Sequence, residues 1–321
     1  MRARIFVFVL IVCATWSISS LSQVKTRAER TDYIETSRYD DVITFLDTVA
    51  KGSSLVHVTR FGYTFEGRSL PLAIVGRIGN ATPQAVRSSG RLRVYIQANI
   101  HAGEVEGKEA AQILVREIAS GKHAQWMDSM VLLIAPIYNA DGNERVSLTN
   151  RGPQNGPIGG MGIRANAQGL NINRDNIKLD TPEARSMVKL LNDYDPHIMI
   201  DLHTTDGSRH AYHLTWEVPN NPVVDANITK TCSRRVDACC HGSHPAKRWL
   251  GSSFLWRCRR PGSRAGLDHR RRSSAIYAQL LGTSKSLRNS QRNVLLPDIA
   301  RTGRNGISFS GGDSEFLSCE C

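Results

Sequence analysis

At 321 residues the chain is long enough to bury a full core, and one large α/β domain with an appendage is its simplest division. The net charge of +12 at pH 7 invites a nucleic-acid or membrane-surface reading, but residues 231–321 alone carry 16 Lys and Arg against 6 Asp and Glu. The basic excess therefore belongs to the tail, which holds no recognisable nucleic-acid module, and nucleic acid is excluded as a partner.

Arg2 and Arg4 precede an apolar run from Ile5 to Trp16 and small residues around Ser17 to Ser20, so residues 1–23 read as a secretory signal peptide. The run is shorter than the roughly 20 residues that a spanning helix needs, which argues against stable membrane insertion once the signal is removed. A secreted or periplasmic protein is expected. Asp40 to Ala50 predicts a short helix with Val42, Ile43, Phe45, Leu46 and Val49 on its apolar side. Leu55 to Tyr63 and Leu70 to Val75 are strand-like runs separated by Glu66-Gly67-Arg68-Ser69, the pattern of a hairpin. Leu92 to Ile100 is a strand too apolar for an edge, and Glu104 to Ala119 is the helix after it. Met130 to Pro136 is another buried strand, followed by a long polar, glycine-rich connection from Asn139 to Gly169. A connection of that length is more often functional than structural. Thr181-Pro182-Glu183 opens a helix, with threonine as its cap and proline at its first position. His197 to Leu202 is a further core strand, ending on His203. Strands alternating with helices imply a mixed, mostly parallel sheet flanked by helices, with ligands at the carboxyl ends of strands.

His101 and His203 both stand at such ends, and Glu104 follows His101 after a turn that Gly103 is expected to make. A hydrolytic zinc site takes three protein ligands and leaves a fourth position open, and two histidines with one glutamate fit that set. The H-x-x-E pair alone is weak, and its specificity comes from the third ligand and the strand placement.

Several separated motifs give the chain, over roughly residues 33–216, a resemblance to the zinc carboxypeptidases of the carboxypeptidase A type. His101-Ala102-Gly103-Glu104 resembles that family's ligand pair, and Asp201-Leu202-His203 its third-ligand strand. Asn139-Ala140-Asp141-Gly142 is similar to its N-P-D-G turn, with alanine in place of proline. Leu170-Asn171-Ile172-Asn173-Arg174-Asp175 is similar to its D-x-N-R segment, with Asn171 where aspartate is usual. The resemblance implies Zn2+ on His101, Glu104 and His203. It also implies that Asn173 and Arg174 hold a substrate's terminal carboxylate and that Arg164 is the catalytic arginine polarising the scissile carbonyl. A guanidinium suits the carboxylate because it grips both oxygens with parallel bonds. The substrate implied is a peptide losing its C-terminal residue. The rival readings are a zinc amidase or deacylase acting on small acylated amino acids, and a zinc-retaining binding protein. His210 and His213 read as wall or surface residues.

The family's general base, a glutamate that takes a proton from the attacking water, lies late in the chain in a segment resembling S-E-x-Y-S-Y. No such segment is present, and Glu315 and Glu320 are the only glutamates after residue 230. Beyond about Thr229 apolar periodicity fades while arginine, serine and cysteine accumulate. Cys232, Cys239, Cys240, Cys258, Cys319 and Cys321 all lie there, a set that exported proteins ordinarily pair as disulfides. A reading-frame error accounts for all of this together. One codon choice for Gly282 through Asp298, read a nucleotide later, spells G-L-R-N-R-F-G-I-L-S-E-T-Y-S-Y-L, with its glutamate formed across Arg292 and Asn293. Residues 24–228 are thus expected to be an incomplete catalytic domain, residues 229–321 an aberrant basic, Cys-rich tail, and the chain an impaired enzyme.

Overall fold

The computed structural model describes residues 21–152, 154 and 156–204, with the backbone of residues 214–217, 252–254 and 276–280. The signal region, His210 and His213, and most of the tail lie outside the described residues. Among the described residues the helices are α1 (Arg27–Arg30), α2 (Tyr39–Lys51), α3 (Pro83–Ser88), α4 (Glu106–Ala119), α5 (Ala140–Glu144) and α6 (Pro182–Tyr194), with 3-10 turns at Ala124–Asp128 and Ile172–Arg174. The strands are β1 (Val56–Tyr63), β2 (Ser69–Val75), β3 (Leu92–Ala98), β4 (Met130–Ala135) and β5 (Ile198–Thr204), followed by the short β6 (Leu214–Glu217), β7 (Ser252–Phe254) and β8 (Ile276–Leu280).

They join one sheet in the order β1-β2-β4-β3-β5-β8-β6-β7. The hairpin pair β1–β2 and the β2–β4 pair are antiparallel, whereas β4–β3, β3–β5 and β5–β8 are parallel. The expected mixed α/β sheet is thus present, and β3, the strand too apolar for an edge, lies between β4 and β5.

Continuous apolar runs in β2, β3 and β4 are explained by the layers they separate, because side chains alternate between faces of a strand. Ala73, Val75, Val94, Ile96, Leu132 and Ile134 face α2 and α4, packing on Val42, Leu46, Val49, Ala111, Val115 and Ile118. The intervening residues Leu72, Ile74, Tyr95, Val131 and Leu133 face α3 and α6, packing on Val86, Met187, Leu190 and Tyr194. Each Val, Leu, Ile or Met side chain among these, taken fully out of water, contributes about 1.5–3 kcal/mol, so both faces of the sheet must be covered. The helix α3 went unpredicted, although Thr82 caps it through the Ala85 amide and Pro83 opens it in the manner expected for Thr181 and Pro182. No helix among the described residues is long and apolar enough to cross a membrane.

Helix α4 begins at Glu106, two residues later than its apolar pattern predicts, because residues 101–104 form a turn closed by the Glu104 amide donating to the His101 carbonyl at 2.9 Å. One polar stripe of α4 is buried. Glu109 accepts from the Thr36 hydroxyl at 2.8 Å, the Ser37 amide at 2.7 Å and the Ser37 hydroxyl at 2.8 Å. Lys108 is fully buried and donates to the Ser37 carbonyl and the Asn143 side-chain oxygen, both neutral. The segment before α2 and the short α5 are thereby fastened to the helix that follows the His101–Glu104 turn.

Burial outweighs the pull of Glu109 and Glu144 and lowers the Lys108 amine from 10.5 to about 8. Between these values the unfolded chain binds the proton more tightly than the folded one, so this group adds stability as pH rises from 8 to 10. Chemical denaturation of wild type and Lys108→Met should therefore show the difference moving in favour of wild type over that range. A difference independent of pH would contradict the assignment.

Candidate metal centre

The chain leaves β3 through Asn99, whose φ of 64° lies in the left-handed region that asparagine tolerates. Its side-chain amide donates to the Ala102 carbonyl at 3.1 Å. The left-handed bend is thus made at Asn99, not at Gly103 as the sequence suggests. What Gly103 supplies is space: a Cβ there would overlap Arg151 Cδ and lie 2.7 Å from the Gly162 carbonyl oxygen. His203 stands at the carboxyl end of β5, one residue before its last, where the sequence puts it.

The turn and β5 bring three side chains together. Glu104 Oε1 lies 2.9 Å from His101 Nδ1, and its Oε2 lies 2.8 Å from His203 Nδ1. The two imidazole rings are 5.0 Å apart, and one ligand atom from each of the three residues falls within 4.8 Å of the others. Glu104 is 3 % exposed. Its Oε2 also accepts from the Thr204 amide at 3.2 Å, and its Oε1 from Arg151 Nη2 at 2.6 Å.

The electrostatics follow from that crowding. Burial pushes the Glu104 carboxyl upward, but its bonds to His101 and His203 outweigh this and hold it well below the usual carboxylate range. Burial likewise opposes charge on His203, yet Asp201 and Glu104 lift its pKa to about 10. Burial lowers His101, and the charge of Arg164 adds to the effect. His101 Nε2 is buried and has no hydrogen-bond partner among the described residues. Two imidazole nitrogens and a carboxylate that converge on one point, with a ring nitrogen to spare, are a donor set that fits a tetrahedral zinc ion keeping one open position.

Of the other predicted residues, Asn173 stands against the cluster, its amide nitrogen 3.4 Å from His203 Nε2. It belongs to the 3-10 turn that Asn171 caps, accepting from the Asn173 amide at 3.1 Å. Asp175 anchors that turn to α6, accepting from the Thr181 amide and hydroxyl, each at 2.7 Å. Arg174 is exposed, and its guanidinium folds back to the Asn173 carbonyl at 2.8 Å. Arg164 is exposed too, and it reaches the cluster through its charge.

Two residues have a larger part than the sequence assigns them. Arg151, which nothing in the loop's spacing separates from Arg145 or Arg164, is the guanidinium that pairs with Glu104. Asn139 joins the ligand turn to the Arg164 segment: its amide lies 3.3 Å from the Ile100 carbonyl, 3.3 Å from that of Arg164 and 3.2 Å from that of Ala165.

A mixed α/β sheet that gathers two histidines and a glutamate at the carboxyl ends of adjacent parallel strands offers a donor set for a metal ion. The sequence profile described as zinc carboxypeptidase matches residues 42–223, more than half the chain, and the chain belongs to that family. Carboxypeptidase 2 of Trichophyton rubrum is 26 % identical over 171 residues, which are 51 % of this chain and 28 % of that protein. The chain therefore matches only about a quarter of the length of such relatives. The solved carboxypeptidase A of Helicoverpa armigera has the same fold, with a TM-score of 0.58 at 15 % identity over 84 % of this chain and 71 % of that one. A metallo-carboxypeptidase from Pseudomonas aeruginosa, solved with (2-guanidinoethylmercapto)succinic acid, gives a TM-score of 0.51 at 16 % identity over 83 % and 69 % of the two chains.

The space requirement at Gly103 can be tested without any ligand. Gly103→Ala should destabilise the chain by ~1–3 kcal/mol, since the Gly162 backbone must shift where a side-chain rotation would not suffice. Equilibrium denaturation gives the value, and an unchanged midpoint would show that the loop has room.

Proposed function

We propose that the chain is a zinc metallocarboxypeptidase, removing C-terminal residues from peptides, whose catalytic power is impaired by its tail. The observation that carries this is the convergence of His101, Glu104 and His203 on one point within 4.8 Å, at the strand ends where the sequence resemblance puts the ligands. Zinc bound there would supply a Lewis acid that polarises a carbonyl and lowers the pKa of water.

The chain's own residues then divide the work. Arg174 has to release the Asn173 carbonyl and turn to the substrate's terminal carboxylate, which it can grip with two parallel bonds while Asn173 adds an amide donor. The succinic acid ligand of the Pseudomonas aeruginosa neighbour is consistent with a site of this kind. Arg164, exposed beside the cluster, is the arginine assigned to the scissile carbonyl, where a fixed positive charge stabilises the developing oxyanion. Arg151 is tied to Glu104 and keeps the ligand carboxylate oriented.

The missing member is the base. The tail beyond about residue 229 supplies no glutamate in the family's context, and a frame error between about residues 225 and 275 explains both that loss and its composition. Export through residues 1–23 belongs to the same proposal, because two arginines, an apolar run and small residues follow one another there in the layout of a secretory signal.

Binding and turnover separate the parts. The zinc-loaded chain should bind a peptide with a free C-terminus, and Arg174→Met should weaken that binding by about 10–100-fold, the equivalent of a lost charge-assisted bond pair. Release of the terminal residue should be slow and should rise by orders of magnitude when the reading frame is restored across codons 282–298. Equal binding and equal hydrolysis of the C-terminally amidated peptide would instead identify an amidase.

A further inference from the structure

Strands β3 and β5 run parallel with Tyr95 opposite Met199 and Gln97 opposite Asp201. Side chains two apart on a strand share a face, so Tyr95 and Gln97 on one strand and Asp201 and His203 on the other form a polar ladder within an otherwise apolar layer. Tyr95 is 0 % exposed, Gln97 1 % and Asp201 2 %. Unpaired polar groups in such a place would cost several kcal/mol, so their pairing is constrained.

The constraint fixes the direction of every bond. The Asp201 carboxylate can only accept, so the Gln97 group facing Asp201 Oδ1 at 3.3 Å is its NH2. The Gln97 carbonyl oxygen then points the other way, and the Tyr95 hydroxyl must donate to it, at 2.9 Å. With Oδ1 occupied, Asp201 offers Oδ2 to His203 Nε2 at 2.9 Å. The Asn173 amide approaches the same ring nitrogen, but at a longer 3.4 Å, and it cannot replace a carboxylate as acceptor for an N–H. His203 Nε2 therefore carries a hydrogen held by Asp201, and Nδ1, 2.8 Å from the equally acceptor-only Glu104 Oε2, carries the second one, the position that a cation would take over.

We propose that Tyr95, Gln97 and Asp201 act as positioning residues that set the tautomer and ring orientation of His203 for metal binding. None of the three touches the metal or the substrate; they act through the third ligand. The inference rests on the metal-site reading of His101, Glu104 and His203, and it extends that site two residues deep into the sheet, to a tyrosine outside every motif in the sequence. Carboxylate partners of ligating histidines typically govern metal affinity by 10–100-fold.

The test is zinc affinity of the full chain by chelator competition, alongside the stability of the metal-free protein, for Asp201→Ala, Gln97→Met, Tyr95→Phe and His203→Ala. Asp201→Ala should lose about 10–100-fold in zinc affinity. Gln97→Met and Tyr95→Phe should lose several-fold, with losses that do not track the change in metal-free stability. A nitrogen-15 imidazole spectrum of the zinc-loaded protein supplies a signature that packing alone would not move. His203 should show a protonated Nε2 in wild type and a shifted or exchange-broadened one in Gln97→Met. Wild-type affinity and an unchanged spectrum in both Gln97→Met and Tyr95→Phe would overturn the ladder. Zinc binding that survives His203→Ala would instead overturn the metal-site reading, so the two failures are distinguishable.

Discussion

A single buried carboxylate organises the site. Glu104 is shared among His101, His203, Arg151 and the Thr204 amide, which come from three separate parts of the chain. A buried negative charge is tolerated only when it is paired and hydrogen-bonded, and here the partners are the other ligands themselves. The same feature explains the loop around it. Gly103 is required because the Arg151 side chain crosses it on the way to Glu104, and Arg151 itself adopts a φ of 56° in the loop that brings it there. Two imidazoles and a guanidinium thus hold the carboxylate in place.

That arrangement is only as rigid as its supports. The turn carrying His101 and Glu104 is braced from β3 by Asn99, from the 139–142 turn by Asn139, and from α4, which buries Lys108 and Glu109 against residues 36–37. His203 is braced from beneath by Asp201 and Gln97. The supports come from the sheet and helices, while the residues assigned to substrate, Asn173, Arg174 and Arg164, sit on the long connection and the 3-10 turn after it. This is the usual division between a stiff scaffold and adaptable loops.

Much of this was legible in the sequence for identifiable reasons. Period-two and period-3.6 patterns are strong where a segment is covered on a defined face, which is why β1 to β5, α2, α4 and α6 could be read directly. The His101–Glu104 pair and His203 were readable because strand ends are where α/β proteins place ligands. What was not legible depends on tertiary approach. The positive φ of Asn99, the space needed at Gly103 and the choice of Arg151 over its neighbours in the loop are fixed by how the 139–169 connection folds back, and no local pattern encodes that path. Tyr95 and Gln97 were hidden for a different reason: in a buried strand they read as ordinary alternation, and only the register with β5 reveals their partner. The short α3 was missed although its Thr-Pro start was present, because six residues are too few to establish a period.

The central claim is that a cation in this chain is held by His101, Glu104 and His203 and not by the cysteines of the tail. X-ray absorption at the zinc edge of the metal-loaded full chain tests it most directly. Light scatterers at about 2.0–2.1 Å with imidazole multiple scattering, diminished in His203→Ala, are the predicted result. A dominant sulfur shell at about 2.3 Å, unchanged by that substitution, would contradict it.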